Sequence, residues 1–228
     1  KVKDIQIINI NHAIYFKNDL TFCFDRKDFS KKNNSFYSPK PDFFFTQGEK
    51  YYKHLKNTFK KKKLFCIGSL KVECNNFRIK KQKSKKKKAK KNILILCGIN
   101  DYESFIKIIN ESQIKDYKIF VAPHPLKKKE TIKFFQNNMK INFVDATLLK
   151  KSNLFSNSDF IICGDTSLGY ELALKKYNVI RLYHKNYIPT FDIDHEIPTA
   201  TNKKEFLEIL SKDSIFQKTK LIERNYFY

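Results

Sequence analysis

The chain has 228 residues, 41% of them hydrophobic and 30% charged, with 46 Lys and Arg against 23 Asp and Glu. That length holds one sizeable core or two small ones, and that hydrophobic content excludes a disordered chain. No apolar run in it approaches the roughly 20 residues a membrane span needs.

The first strand-like run, 5–10, ends at Asn11-His12. Residues 25–41 are polar and close on Pro39 and Pro41, which marks a loop. DFFFT at 42–46 reads as a strand. Gly48 gives the turn into 49–58, where Tyr51, Tyr52 and Leu55 have helical spacing. A further strand, 64–67, ends at Gly68-Ser69. Residues 80–91 contain nine lysines and one apolar residue, Ala89. Like charges repel and nothing there can build a core, so the segment reads as a linker. From Asn92 onward the rhythm is regular. Strands are expected at 93–97, 118–122, 141–144, 160–163 and 179–182, and helices at 102–111, 128–137, 147–155, 167–175 and 203–210. Apolar runs of four to six residues alternating with helices imply a parallel sheet covered on both faces. The expected domains are 1–79, the Lys-rich linker 80–91, and 92–228.

The formal net charge of +23 is unevenly spread. Residues 1–91 hold 26 Lys and Arg against 7 Asp and Glu, and the remainder hold 20 against 16. Almost all of the excess is lysine. Only four arginines occur, Arg26, Arg78, Arg181 and Arg224, whereas readers of phosphates and base edges favour arginine. A nucleic-acid partner is therefore not expected. The lysines fit an AT-rich composition on a solvated surface, or attraction to an anionic membrane surface or glycan. Of the five cysteines, Cys23, Cys66, Cys74, Cys97 and Cys163, none forms a CxxC pair, and the expected setting is reducing and cytoplasmic. Residue 1 is Lys, within a stretch already patterned as folded chain, so a longer N-terminal region is expected.

Two segments carry the chemistry. His124 sits between Pro123 and Pro125 just after a strand. Both prolines fix φ, and the residue before each is pushed to an extended form. The imidazole is thereby held at the sheet edge, where it can donate to a phosphate, a ribose or a base, or simply serve a turn. Asp165, Thr166 and Ser167 follow the strand 160–163 through Gly164 and open a helix. Free N–H groups and the helix dipole favour an anion there, although the same residues also suit a cap. Glu171, one turn on, can accept from ribose hydroxyls or merely face solvent. His12 is a candidate base, and Gly48, Gly68, Ser69 and Gly98 are candidate cleft-lining turns. There is no GxxxxGK[ST], GxGxxG or HExxH motif, and no metal or cofactor is expected. Asp192-Ile193-Asp194 is a DxD string in a loop after the last expected strand, flanked by His184 and His195.

Pro123-His124-Pro125, Asp165-Thr166-Ser167 with Glu171, and DFFFTQGE at 42–49 with Ile67-Gly68-Ser69 resemble motifs of the GT-B glycosyltransferase superfamily. The likeness is to bacterial surface-carbohydrate proteins: sialyl-, polysialyl- and Kdo-type transferases with an HP motif, and CDP-glycerol glycerophosphotransferases. Asn11-His12-Ala13 echoes a QHG segment and departs from it at Ala13. The resemblance implies an α/β, GT-B-like fold of two Rossmann-like domains with parallel sheets, the first of them shortened. It implies metal-independent transfer of a sugar from a nucleotide-activated donor, by guess a CMP-sugar, to a cell-surface polysaccharide or lipopolysaccharide. In it, His124, Pro125, Asp165, Thr166 and Ser167 bind donor nucleotide or phosphate, Glu171 the ribose, and His12 is the base. Partners would be the donor, a glycan or glycolipid acceptor and the inner face of the cell membrane. The alternatives are an enzyme like UDP-GlcNAc 2-epimerase, a CDP-glycerol glycerophosphotransferase, and an inactive basic protein bound at a membrane surface.

Overall fold

A computed structural model describes residues 6–10, 41–56, 59, 63–68, 90–138, 141–146, 149, 153–187, 196–212, 219–222 and 224. They fall into two compact units, one within Lys1–Phe77, Thr190–Asp192 and Lys220–Tyr228, the other within Arg78–Pro189 and Ile193–Thr219. The first unit is therefore discontinuous in sequence.

In the second unit the strands are β4 (Lys91–Leu96), β5 (Tyr117–Ala122), β6 (Asn142–Phe143), β7 (Phe160–Cys163), β8 (Val179–Leu182) and β9 (Thr199–Ala200). They form one parallel sheet in the order β6-β5-β4-β7-β8-β9. Ile93 to Leu96, Phe160 to Cys163 and Val179 to Leu182 are buried along their whole length. Helices cover both faces of such a sheet, so its strands carry continuous apolar runs rather than alternation. Helix α2 (Tyr102–Ser112) buries Phe105, Ile106, Ile108 and Ile109 as one stripe. Helices α3 (Lys128–Asn138), α5 (Ser167–Leu174) and α6 (Lys203–Leu210) complete the regular layers. Phe105, Phe135 and Phe206 from α2, α3 and α6 join Ile93, Ile95, Val121 and Ile162 from the sheet in one core.

Two expectations are corrected. Within the range 147–155, where a helix is expected, the described residues are 149 and 153–155, and α4 (Leu154–Asn157) begins after its N-cap Asn153. Leu149, buried ahead of it, lies in a turn. β9 was not expected, because two residues carry no periodicity. Tertiary pairing creates it: the Pro198 and Ala200 carbonyls accept from the Arg181 and Tyr183 N–H groups at 2.9 and 3.0 Å.

In the first unit, β1 (Ile8–Ile10), β2 (Phe43–Thr46) and β3 (Leu64–Cys66) form a parallel sheet in that order. Helix α1 (Glu49–Leu55) connects β2 to β3 and is shorter than the expected 49–58. Phe44, Tyr51, Leu55, Phe59 and Leu64 make this unit's core. Gly48 takes φ 82° and ψ 156° at the start of α1, a region only glycine occupies readily. The short helix α7 (Thr219–Ile222) ends the described secondary structure. No helix among the described residues is long and apolar enough to cross a membrane.

Candidate functional site

The chain leaves β4 for β5 and β6 on one side, then returns to place β7 on the other. In open α/β sheets ligands bind outside the carboxyl ends of the strands at such a reversal. The register sets four of those ends at one level, because Ala122 and Cys163 both pair with Leu96 and Cys163 pairs with Arg181. Two residues beyond these positions stand His124, Gly98, Asp165 and Tyr183, in spatial order across β5, β4, β7 and β8. Neighbouring strands lie about 4.8 Å apart, so His124 and the Asp165 loop are about 10 Å apart along the edge.

His124 has extended backbone (φ −63°, ψ 136°) and caps a 3-10 turn at Pro125–Lys127 that the sequence did not indicate. Its Nδ1 accepts from the Leu126 N–H at 3.3 Å. That bond places the proton of the neutral ring on Nε2. Partial burial lowers the imidazole pKa below the usual histidine range, so at neutral pH the ring is a neutral Nε2–H donor.

Thr166 is the N-cap of α5. Its Oγ1 accepts from the Leu168 N–H at 3.4 Å, which leaves its O–H proton to donate. Ser167 is the first helical residue. Glu171 is 8% exposed, so it lies inside the fold and not on a solvated helix face. Gly169 brings α5 onto β7, since a Cβ there would strike the Cys163 thiol. Burial pushes that thiol up to about 12, as expected of a packing cysteine and not a nucleophile.

Asp101 ties the loops after β4 and β7 together. It sits where an N-cap of α2 would sit but makes no capping bond. Its Oδ1 accepts from the Gly98 N–H at 2.7 Å and its Oδ2 from the Asp165 N–H at 2.9 Å. The carboxyl is wholly buried, and desolvation raises its pKa to about 7 against the two N–H bonds, which act to lower it. The tie needs glycines on both sides. A Cβ at Gly98 would lie 2.7 Å from Asp101 Oδ2 and from the Asp165 carbonyl; one at Gly164 would lie 2.6 Å from Oδ2 and 3.0 Å from the Phe105 ring. Gly164→Ala is expected to lower stability by about 2–3 kcal/mol through overpacking. Thermal unfolding checks this, and a change under 0.5 kcal/mol, within the usual range for an inert surface site, would show that the contact relaxes freely.

Arg181, wholly buried in β8, lies under the same edge. Its Nε and Nη2 donate to the Tyr183 hydroxyl, the former at 3.1 Å, and its Nη1 donates to the Tyr170 hydroxyl at 2.8 Å. Tyr183 in turn donates to Asp165 Oδ1 and Tyr187 to Asp165 Oδ2, each at 2.9 Å. The Tyr183 and Tyr187 rings stack 5.7 Å apart at 6°. Burial, and then the Asp165 charge beyond it, push both hydroxyls far above the usual tyrosine range. Both are therefore donors at any working pH.

His124, Pro125, Gly98, Asp165, Thr166, Ser167 and Glu171 all belong to the second unit. Gly48 and Gly68 belong to the first. They follow Thr46 and Cys66 by the same two residues, and both have positive φ. His12, Ser69, Asp192, Asp194 and His195 lie outside the described residues. The sequence reading missed Asp101, Tyr170, Arg181, Tyr183 and Tyr187. One signal was present: an arginine in the apolar run Val179-Ile180-Arg181-Leu182, since arginine is almost never fully buried without partners.

The solved structure of the wall teichoic acid polymerase TagF matches 98% of this chain with a TM-score of 0.56 at 14% identity. The fold is GT-B-like. A histidine-to-alanine variant of TagF matches 99% of the chain at TM-score 0.54 and 12% identity. S. aureus MnaA, solved with UDP, matches 75% of this chain and 50% of its own at TM-score 0.50 and 15% identity. The chain spans 64% of the length of the TagF structure. No family model and no curated protein matches the chain.

Proposed function

We propose that the chain holds a nucleotide-activated donor at the strand ends of its second unit and takes part in transferring the activated group to a cell-surface polymer. The observation that carries this reading is the row of strand ends at one level. His124 stands at one end of the row, and the α5 N-terminus with Thr166 and Ser167 is two strands away. Neutral donors and a helix end can stabilise charge on a departing nucleotide phosphate. In this reading His124 and Thr166 donate to phosphate oxygens, Ser167 supplies a backbone N–H and a hydroxyl, and Glu171 faces the ribose. Pro125 holds the His124 turn. Gly98, after β4, borders the site, and His12 is the residue of the sequence kept as candidate base.

The likeness to TagF supports the polymer reading, and a TagF variant solved with CDPG also matches, at TM-score 0.51. A cytidine nucleotide is therefore the first donor to test. The likeness to MnaA with UDP favours a second reading, an epimerase acting on a UDP-sugar. The few carboxylates of residues 1–91 weigh against it. The Lys-rich segment 80–91 would hold the protein near an anionic membrane and its glycolipid acceptor.

The test is a thermal-shift series with CMP, CDP, UMP, UDP and GDP on wild type and His124→Ala. A ligand at 100 times its Kd adds about 2.7 kcal/mol of stability. Stabilisation by one cytidine or uridine nucleotide, reduced at least tenfold in affinity in the variant, is expected. No stabilisation by any of the five would overturn the reading.

A further inference from the structure

A carboxylate one residue before a helix cap is poorly placed for a protein that binds anions there. The helix N-terminus attracts negative charge, and an unrestrained Asp165 would turn its oxygens onto the N–H groups of α5 or face an incoming phosphate directly. In the structure both oxygens are engaged on the side of β8 and the turn after it. Each oxygen of Asp165 accepts a tyrosine hydroxyl at 2.9 Å, one from Tyr183 in β8 and one from Tyr187 in the following turn. That turn is closed by the Tyr187 N–H to the His184 carbonyl at 2.8 Å. Behind Tyr183 stands the buried Arg181 guanidinium, donating into the same hydroxyl. We propose that Tyr187, with Tyr183 behind it, is a positioning residue that turns the Asp165 carboxylate away from the α5 N-terminus and so leaves that end open to an anionic nucleotide. The inference rests on the donor-site reading above and adds to it the residue that controls the charge beside the site.

Tyr187 is the position to test, because it is only half-buried and a phenylalanine keeps its stacking on Tyr183. Isothermal titration would compare wild type, Tyr187→Phe and the double variant Tyr187→Phe/Asp165→Asn. The probes are CDP and UDP, with uncharged cytidine and uridine beside them. Loss of one hydrogen bond to a charged group predicts about a tenfold weaker Kd for the nucleotide in Tyr187→Phe, with the nucleoside unchanged. Removing the carboxylate charge in the double variant is expected to bring nucleotide binding back to within about threefold of wild type. A merely structural role for Tyr187 would weaken nucleotide and nucleoside alike and would not be rescued at Asp165. Unchanged nucleotide binding in Tyr187→Phe, or failure of the rescue, overturns the inference while leaving the donor site standing. If wild type binds neither CDP nor UDP, the donor-site reading fails, and this inference fails with it.

Discussion

Arg181→Leu is expected to cost about 3–5 kcal/mol of stability. The guanidinium is wholly buried and joins three tyrosines to one aspartate through Tyr170, Tyr183 and then Asp165 and Tyr187. Its central carbon also lies 4.9 and 5.4 Å from the Tyr183 and Tyr170 ring centres. Deleting it removes the only guanidinium among the described residues of this network and leaves the Asp165 charge facing a less polar interior. Removing one partner from a buried ionic cluster costs about that much, even where replacing the whole cluster by packed apolar residues is neutral. Lysine would not rescue fully, because its single ammonium cannot reproduce a planar fork that reaches two hydroxyls. Urea unfolding followed by circular dichroism measures the effect. A loss below 1 kcal/mol would show that the network is ornament and that apolar packing alone sets the stability of β8.

The second large effect is a dependence of stability on pH through Asp101. Its pKa is raised to about 7 in the folded chain from an ordinary value of 3.8, so folding favours the protonated carboxyl. The stabilisation is complete below the unfolded pKa. It is lost progressively as pH rises from about 4 and is gone once pH passes about 7. A shift of that size corresponds to at most about 4 kcal/mol. Other groups titrate over the same range, so the measurement is a difference: urea midpoints of wild type and Asp101→Asn from pH 4 to pH 8. The gap between them is expected to narrow or reverse toward high pH, as the wild type comes to carry a buried charge that the variant lacks. Parallel curves would show that the two N–H bonds from Gly98 and Asp165 hold the carboxyl at its ordinary pKa.

The sheet of the second unit was legible in the sequence because burial on both faces writes uninterrupted apolar runs. The ranges 160–163 and 179–182 match β7 and β8 residue for residue, and 203–210 matches α6. Elements that depend on partners were not legible. β9 exists through bonds to β8, and α4 starts only after Asn153, inside the range where local spacing pointed to helix. At the edge of the sheet, His124 and Asp165-Thr166-Ser167 stood out because proline, glycine and capping residues punctuate strand ends. Asp101 did not, because aspartate before a helix looks like a cap, and the second of its two N–H partners is 64 positions further on. The Arg181 network is likewise assembled across β7, α5, β8 and the turn beyond, and no short window of sequence contains it.

The cross-tie at Asp101 divides the rim of this sheet into parts with different freedom to vary. The loops after β4 and β7 share one carboxylate, and a Cβ at Gly98 or Gly164 would press on it, so a change in either must be accommodated by the other. The loop after β5 carries His124 and is not fastened to that tie. Over evolutionary time the first two should change together and rarely, while the third can be exchanged alone. The loop after β5 can then vary in length and sequence without dismantling the frame beside it.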